Sequence, residues 1–145
     1  MPRTDRANIQ SVIAEIGNLQ RMSELDIKKF AQEGGLADQV VQAIGTASLK
    51  PTQLRKVFHT LKGIQQKVKQ QPDDPFDSTD LLKLMPTLAY AVGRELIPKE
   101  FYQLLREVFA PSRLQTNADF LRAFDFVEAI LAYHKYRSRR EEGQS

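Results

Sequence analysis

Three observations predict an all-α fold, a single-domain bundle of five to six helices. Apolar residues recur at three- and four-residue spacing through most of the chain. Prolines and glycines fall between those periodic runs, and no segment sustains the two-residue alternation of a half-buried strand. A length of 145 residues suits one domain with a real core, and 41% hydrophobic with 27% charged residues is the composition of a globular chain.

The elements follow in order. Ile9, Val12, Ile13, Ile16 and Leu19 predict an amphipathic helix from about Asp5 to Met22. Ser23 and Asp26 then form a capping pair for a second helix carrying Leu25, Ile27 and Phe30. Gly34 and Gly35 interrupt it, and Leu36, Val40, Val41 and Ile44 continue the pattern to Gly45; one bent rod or two helices fit equally. The clearest periodicity is Leu54, Val57, Phe58, Leu61, Ile64 and Val68, a helix from Pro51 to about Gln70 that Pro72 and Pro75 close. From about Ser78 to Arg94 comes a helix capped by Asp77, Ser78 or Thr79, with Pro86 expected to kink or divide it. Pro98 opens the next, whose Phe101, Leu104, Leu105, Val108 and Phe109 are stopped by Pro111. The last opens at Thr116 or Asn117 and turns Phe120, Leu121, Phe124, Val127, Ile130, Leu131 and either Tyr133 or His134 inward. The expected organisation is an N-terminal helical extension over residues 1–22, a helical domain over 23–138 and a flexible tail over 139–145.

Catalytic chemistry finds few candidates. The absence of cysteine excludes disulfides, thiolate zinc sites and cysteine nucleophiles. His59 and His134 are the only histidines and neither stands in a metal-binding spacing; phosphate loops, dinucleotide fingerprints and nucleophile elbows are missing. "PDDPFDSTD" at 72–80 gathers four aspartates without the order of an EF-hand loop and reads as a solvated loop with helix-capping acids. No catalytic residue, metal or cofactor is expected. The opening "MPRTDRANIQ" lacks a signal-like apolar core and no long apolar run follows, which predicts a cytoplasmic protein without a membrane partner.

Charge distribution points to binding. The net charge is only +3, but six Lys or Arg residues and no acid lie between Lys50 and Gln71, directly before the four aspartates of residues 72–80. On a helical wheel Arg55, His59, Lys62, Gln66 and Lys69 fall within roughly 40° of one line, about 120° from the Leu61 face. Such a stripe can follow a phosphate backbone; an ordinary solvated face is the alternative. The last helix likewise ends in Lys135, Arg137, Arg139 and Arg140. Helix-dipole compensation accounts for Lys135 and Arg137 but not for the two that follow. Tyr133 and Tyr136 can stack on unpaired bases, or one is buried and the other sits at the rim.

Three stretches, "TQLRKVF" at 52–58, "LLKLMPTLAYAVGR" at 81–94 and "FDFVEAILAYHKY" at 124–136, together resemble the Csm small subunit of type III-A CRISPR effector complexes, in order and spacing over about residues 25–138. The resemblance implies a non-catalytic subunit stacked in several copies along a ribonucleoprotein filament of antiviral defence. Its implied partners are guide RNA and target RNA, the backbone subunits that cleave target RNA, the large subunit with its DNase and cyclic-oligoadenylate activities, and copies of itself. Strand contact would be to the backbone, with base pairing reading the sequence. The family's basic positions correspond to Arg55 and Arg94; charge and helical geometry add Lys50, Lys62, Lys69, Lys135 and Arg137 as RNA-binding candidates. Arg94 has a rival role in satisfying helix-end carbonyls or pairing with Glu128. The charged end of the last helix is expected to continue the surface begun by the Arg55 stripe. The alternative function is a helical interaction module whose basic face docks an acidic protein.

Overall fold

Prolines set several of the helix boundaries. A computed structural model describes the backbone of residues 4–143 and the side chains of residues 9–139. Within them run α1 (Thr4–Gly17), α2 (Ile27–Phe30), α3 (Leu36–Ile44), α4 (Pro51–Val68), α5 (Thr79–Gly93), α6 (Lys99–Val108) and α7 (Asn117–Gly143). Short 3-10 turns at Met22–Glu24 and Pro111–Arg113 complete the order. The fold is an all-α bundle; its seventh helix, beyond the expected six, is the single turn α2. Pro51 opens α4 and Pro98 is the N-cap of α6, positions where a missing N–H costs little. Pro86 does not divide its helix: α5 runs through it unbroken. Leu82 and Pro86 are both exposed, so water can bond the Leu82 carbonyl that the proline leaves without a partner.

Residues 27–44 form two helices, not one bent rod, because of the glycine pair. Gly34 has φ +85°, and a Cβ on Gly35 would sit 2.9 Å from the carbonyl oxygens of both Lys29 and Gln32. Asp26 caps α2 as expected, accepting the Lys28 N–H at 2.9 Å. Ser23 lies instead in the 3-10 turn and donates its N–H to Asp119 at 3.0 Å.

The spine of the core is α7, whose Phe120, Ala123, Phe124, Phe126, Val127 and Ile130 are buried. Its three phenylalanines reach different neighbours. Phe126 meets Phe30 edge-on at 5.5 Å, Phe124 stacks on Phe58 of α4 at 5.2 Å, and Phe120 stacks on Phe76 at 4.9 Å. Burying one such ring stabilises by roughly 1.5–3 kcal/mol. Leu121 and Leu131 are only half-buried, and of Tyr133 and His134 it is the histidine that is buried, its Nε2 3.2 Å from the Thr46 carbonyl oxygen. Across the bundle Ile9, Val12, Ile16 and Met22 belong to the same core as α3 and α6, so the segment read as an extension contributes to it from residue 9 onward. At the other end α7 stays helical to Gly143, through most of the stretch read as a flexible tail. Residues 1–3 and 144–145, and the side chain of Arg140, lie outside the described part.

Helices α4 and α7 are antiparallel neighbours. Beyond the end of α4, the carbonyls of Pro72 and Asp74 accept the Ala118 and Asn117 N–H groups at 2.8 and 2.9 Å, which ties the loop to the start of α7. Asn117 Nδ2 adds a bond to the Gln71 carbonyl at 2.7 Å. Among the described residues no helix is long and apolar enough to cross a membrane.

Candidate nucleic-acid interface

Leu54, Val57, Leu61 and Ile64 turn one face of α4 into the core, which leaves the basic stripe outside. Arg55, His59, Gln66 and Lys69 are exposed. Lys62 is half-buried, with its ammonium 5.6 Å from the centre of the Phe124 ring of α7. That cation–aromatic contact places Lys62 on the shoulder of α4 that faces α7, while Arg55 and His59 also border the cleft between α4 and α5. On α7, Lys135 lies about 20° around the helix from Phe124, the residue that meets α4, so it borders the same valley. Because the helices are antiparallel, Lys135 stands toward the start of α4, where Lys50 is the N-cap. Lys50, Arg55, Lys62, Lys69 and Lys135 form no ion pair among the described residues. Exposed Glu128, about 40° from Phe124, is an acid on the α7 wall of the valley.

Arg137 leaves this group. Two residues past Lys135 on a helix is about 200° of rotation, so it points to the far side of α7. There its Nε and Nη2 donate to Asp38 Oδ1 and Oδ2 at 2.5 and 2.8 Å, and Asp38 is 0% exposed. The Arg137 bond holds the Asp38 carboxyl below the usual aspartate range against the opposing effect of burial, with help from the Gly34 N–H. Nor is Arg137 in the last turn of α7, so dipole compensation does not explain it either. It is a clamp between α7 and α3.

Arg94 also takes an unexpected partner. It is the exposed C-cap of α5, donates from Nη1 to the Tyr90 hydroxyl at 3.0 Å, and lies 5.7 Å from that ring's centre. The anticipated pair with Glu128 is not formed. Since α5 and α7 pack on opposite flanks of α4, Arg94 shares the Lys50 end of the bundle but not the valley. Tyr133 donates its hydroxyl to the Ala31 carbonyl at 2.7 Å, while Tyr136 is 39% exposed.

The acidic loop does cap a helix: Asp77 accepts the Thr79 N–H at 3.0 Å and hydroxyl at 2.7 Å, bonds that lower its pKa. Asp80 pairs with Lys67 at 2.9 Å. Among the described residues no three His, Asp or Glu side chains gather where a metal could bind.

Sequence reasoning missed the groups that orient α7. Asp119 is 0% exposed and accepts the N–H groups of Ser23, Gln115 and Thr116 at 2.9–3.0 Å, plus Arg21 Nε at 3.1 Å. Burial alone would raise its pKa, but the bonds from Thr116, Ser23 and Arg21 lower it to about 2. The signal was present as Thr116-x-x-Asp119, a capping-box spacing. Arg113 left no such signal; it closes the end of α1 by donating to the carbonyls of Gly17 and Leu19 at 2.8 and 3.0 Å.

The family model described as Csm2 Type III-A matches residues 12–140, from within α1 to near the end of α7. No curated protein and no solved structure matches the chain.

Proposed function

The chain belongs to the Csm2 family of type III-A CRISPR systems, and from that premise we propose that it is a non-catalytic structural subunit, stacked in several copies, that holds guide and target RNA by their backbones in the valley between α4 and α7. One observation carries the RNA reading: Arg55, Lys62 and Lys69 fall on one line of α4, Lys62 facing α7, and none of them nor Lys135 is paired with a carboxylate among the described residues. Seven residues of helix separate each from the next, about 10 Å of rise, so the cations track a strand along the helix axis. Contacts of this kind fix position and register and carry no sequence information, which suits a complex where base pairing does the reading.

Titration with unrelated single-stranded RNAs tests this. If about five phosphates are neutralised, raising salt from about 50 to 200 mM weakens binding roughly a hundredfold. The double variant Arg55→Ala/Lys62→Ala loses affinity about equally for every sequence while keeping its helicity. A salt-independent profile would instead favour docking of an acidic protein. Measurement in the assembled complex covers the case in which each copy binds weakly and avidity supplies the rest.

A further inference from the structure

We propose that copies of this chain join head to tail, the basic-rimmed apolar groove between α4 and α5 of one copy receiving the acidic loop 72–80 of the next. The inference rests on the stacking stated above and assigns its two surfaces.

The head is a cleft of about 740 Å³ floored by Val57, Leu84, Leu88, Ala91 and Ile97. Arg55 and Lys56 stand among its lining residues and no acid does. Beside it, α4 begins with no acid in its first turn and no side chain on its N-terminal amides. The positive end of that helix dipole therefore adds to Lys50, Arg55 and Lys56, where acids are the usual complement. An anionic group from outside relieves this local excess of one sign.

The tail has the opposite excess. Asp73 and Asp74 are exposed just past the negative end of α4. Asp77 and Asp80 have local work, in the cap of α5 and the pair with Lys67, whereas Asp73 and Asp74 have no side-chain partner among the described residues. A second cleft, of about 460 Å³, opens beside them between Lys67, Asp74, Asp77, Asp80 and Asn117. Asn117 lines this cleft and is only 5% exposed; its Oδ1 is buried without a hydrogen bond among the described residues, while Nδ2 is held by the Gln71 carbonyl. The carboxylates of Asp74, Asp77 and Asp80 around the cleft are what an ammonium or guanidinium from outside would meet. Each end of α4 thus presents what the other lacks.

A contact between two different surfaces on opposite ends of one helix propagates instead of closing on itself like a two-fold dimer. Arg55 and His59 border this groove as well as the stripe, whereas Lys62 and Lys69 are not among its lining residues and Lys62 faces α7, so a docked neighbour leaves that part of the RNA valley open. Strand and neighbour are held at once.

Two variants of the full chain test the assignment, Lys56→Glu/Thr87→Trp for the head and Asp73→Lys/Asp74→Lys for the tail. Thr87 is exposed on the groove wall, so the indole fills the cleft without entering the core. In sedimentation experiments the unaltered chain forms a concentration-dependent ladder of species, at least tenfold weaker between about 0.05 and 0.5 M salt as the screening length falls roughly threefold. Each variant alone sediments as a monomer, and the equimolar mixture stops at a dimer because one intact head meets one intact tail. Thr87→Trp by itself weakens association even if the double head variant folds poorly, which circular dichroism reports. An unaltered chain that stays monomeric at low salt overturns the proposal, as does a ladder that either variant leaves unchanged. Copy number in the RNA-bound complex then separates the cases: several copies with these surfaces neutralised means that stacking uses another face, and a single copy of the unaltered chain means that stacking itself is wrong.

Discussion

Lys135 and Arg137 are two residues apart on α7 and belong to different chemistry. Toward α4 the helix borders a valley where Arg55, Lys62, Lys69 and Lys135 are held by no acid among the described residues. Toward α2 and α3 it forms a seam where each polar group is paired: Arg137 with Asp38, the Tyr133 hydroxyl with the Ala31 carbonyl, and the Arg122 guanidinium with the Leu25 carbonyl. The difference teaches that a basic residue's role depends on which flank of its helix it occupies. In the seam an arginine compensates a buried charge and holds two helices together. In the valley a lysine leaves its field available to a ligand.

The sharpest way to break this comparison is Arg137→Ala. Removing one partner leaves Asp38 charged and buried, with an expected loss of about 3–5 kcal/mol in urea unfolding. Arg137→Lys recovers only part, since an ammonium cannot make the two-point contact. Lys135→Ala is expected to leave the unfolding midpoint where it is, and equal losses for the two would erase the distinction.

Acid comes next. The Asp119 pKa is about 2 against an ordinary 3.8, lowered on folding. Its contribution of about 2 kcal/mol is fully present above the unfolded value and lost as pH falls through the folded one. Asp38 shifts in the same direction. The paired regions are therefore the acid-labile ones. Unfolding followed from about pH 5 down to pH 2 is expected to show a steep fall in stability that Asp119→Asn, less stable at neutral pH, largely flattens. An unchanged slope would mean that other carboxylates carry the acid response.

In the valley the effects are on binding. Arg55→Ala/Lys62→Ala is expected to reduce the salt slope of RNA affinity by about 1.4, two phosphates at −0.7 each. Smaller still is Glu128→Gln, which removes the acid on the α7 wall. It is expected to raise RNA affinity about two- to threefold at low salt, with the gain vanishing as salt screens it. Improvement that persists at high salt would place Glu128 in direct contact with the strand.

Much of the bundle was legible in the chain. Proline and glycine positions located α3, α4 and α6, because a missing N–H or a required positive φ is a local property of the backbone. The stripe on α4 was legible for the same reason, since its residues share one rigid element whose angular geometry is known. Asp38 was not, because its partner lies 99 residues away and an aspartate in the first turn of a helix looks like an ordinary cap. Arg137 was misread with it. Asp119 sat in a visible capping-box spacing, but its bonds to Arg21 and Ser23 come from distant chain.

What the sequence determined by itself is the set of helices, their apolar faces and the segregation of charge along α4, each a consequence of interactions within a few residues. What only the tertiary structure decided is which charges remain available. Packing α7 between α3 and α4 turned Arg137 into a buried pair and left Lys135 at the rim of a valley. The physical reason is that an ion's role depends on the distance to its counter-charge and on its exposure to water, and both are set by residues far away in the chain.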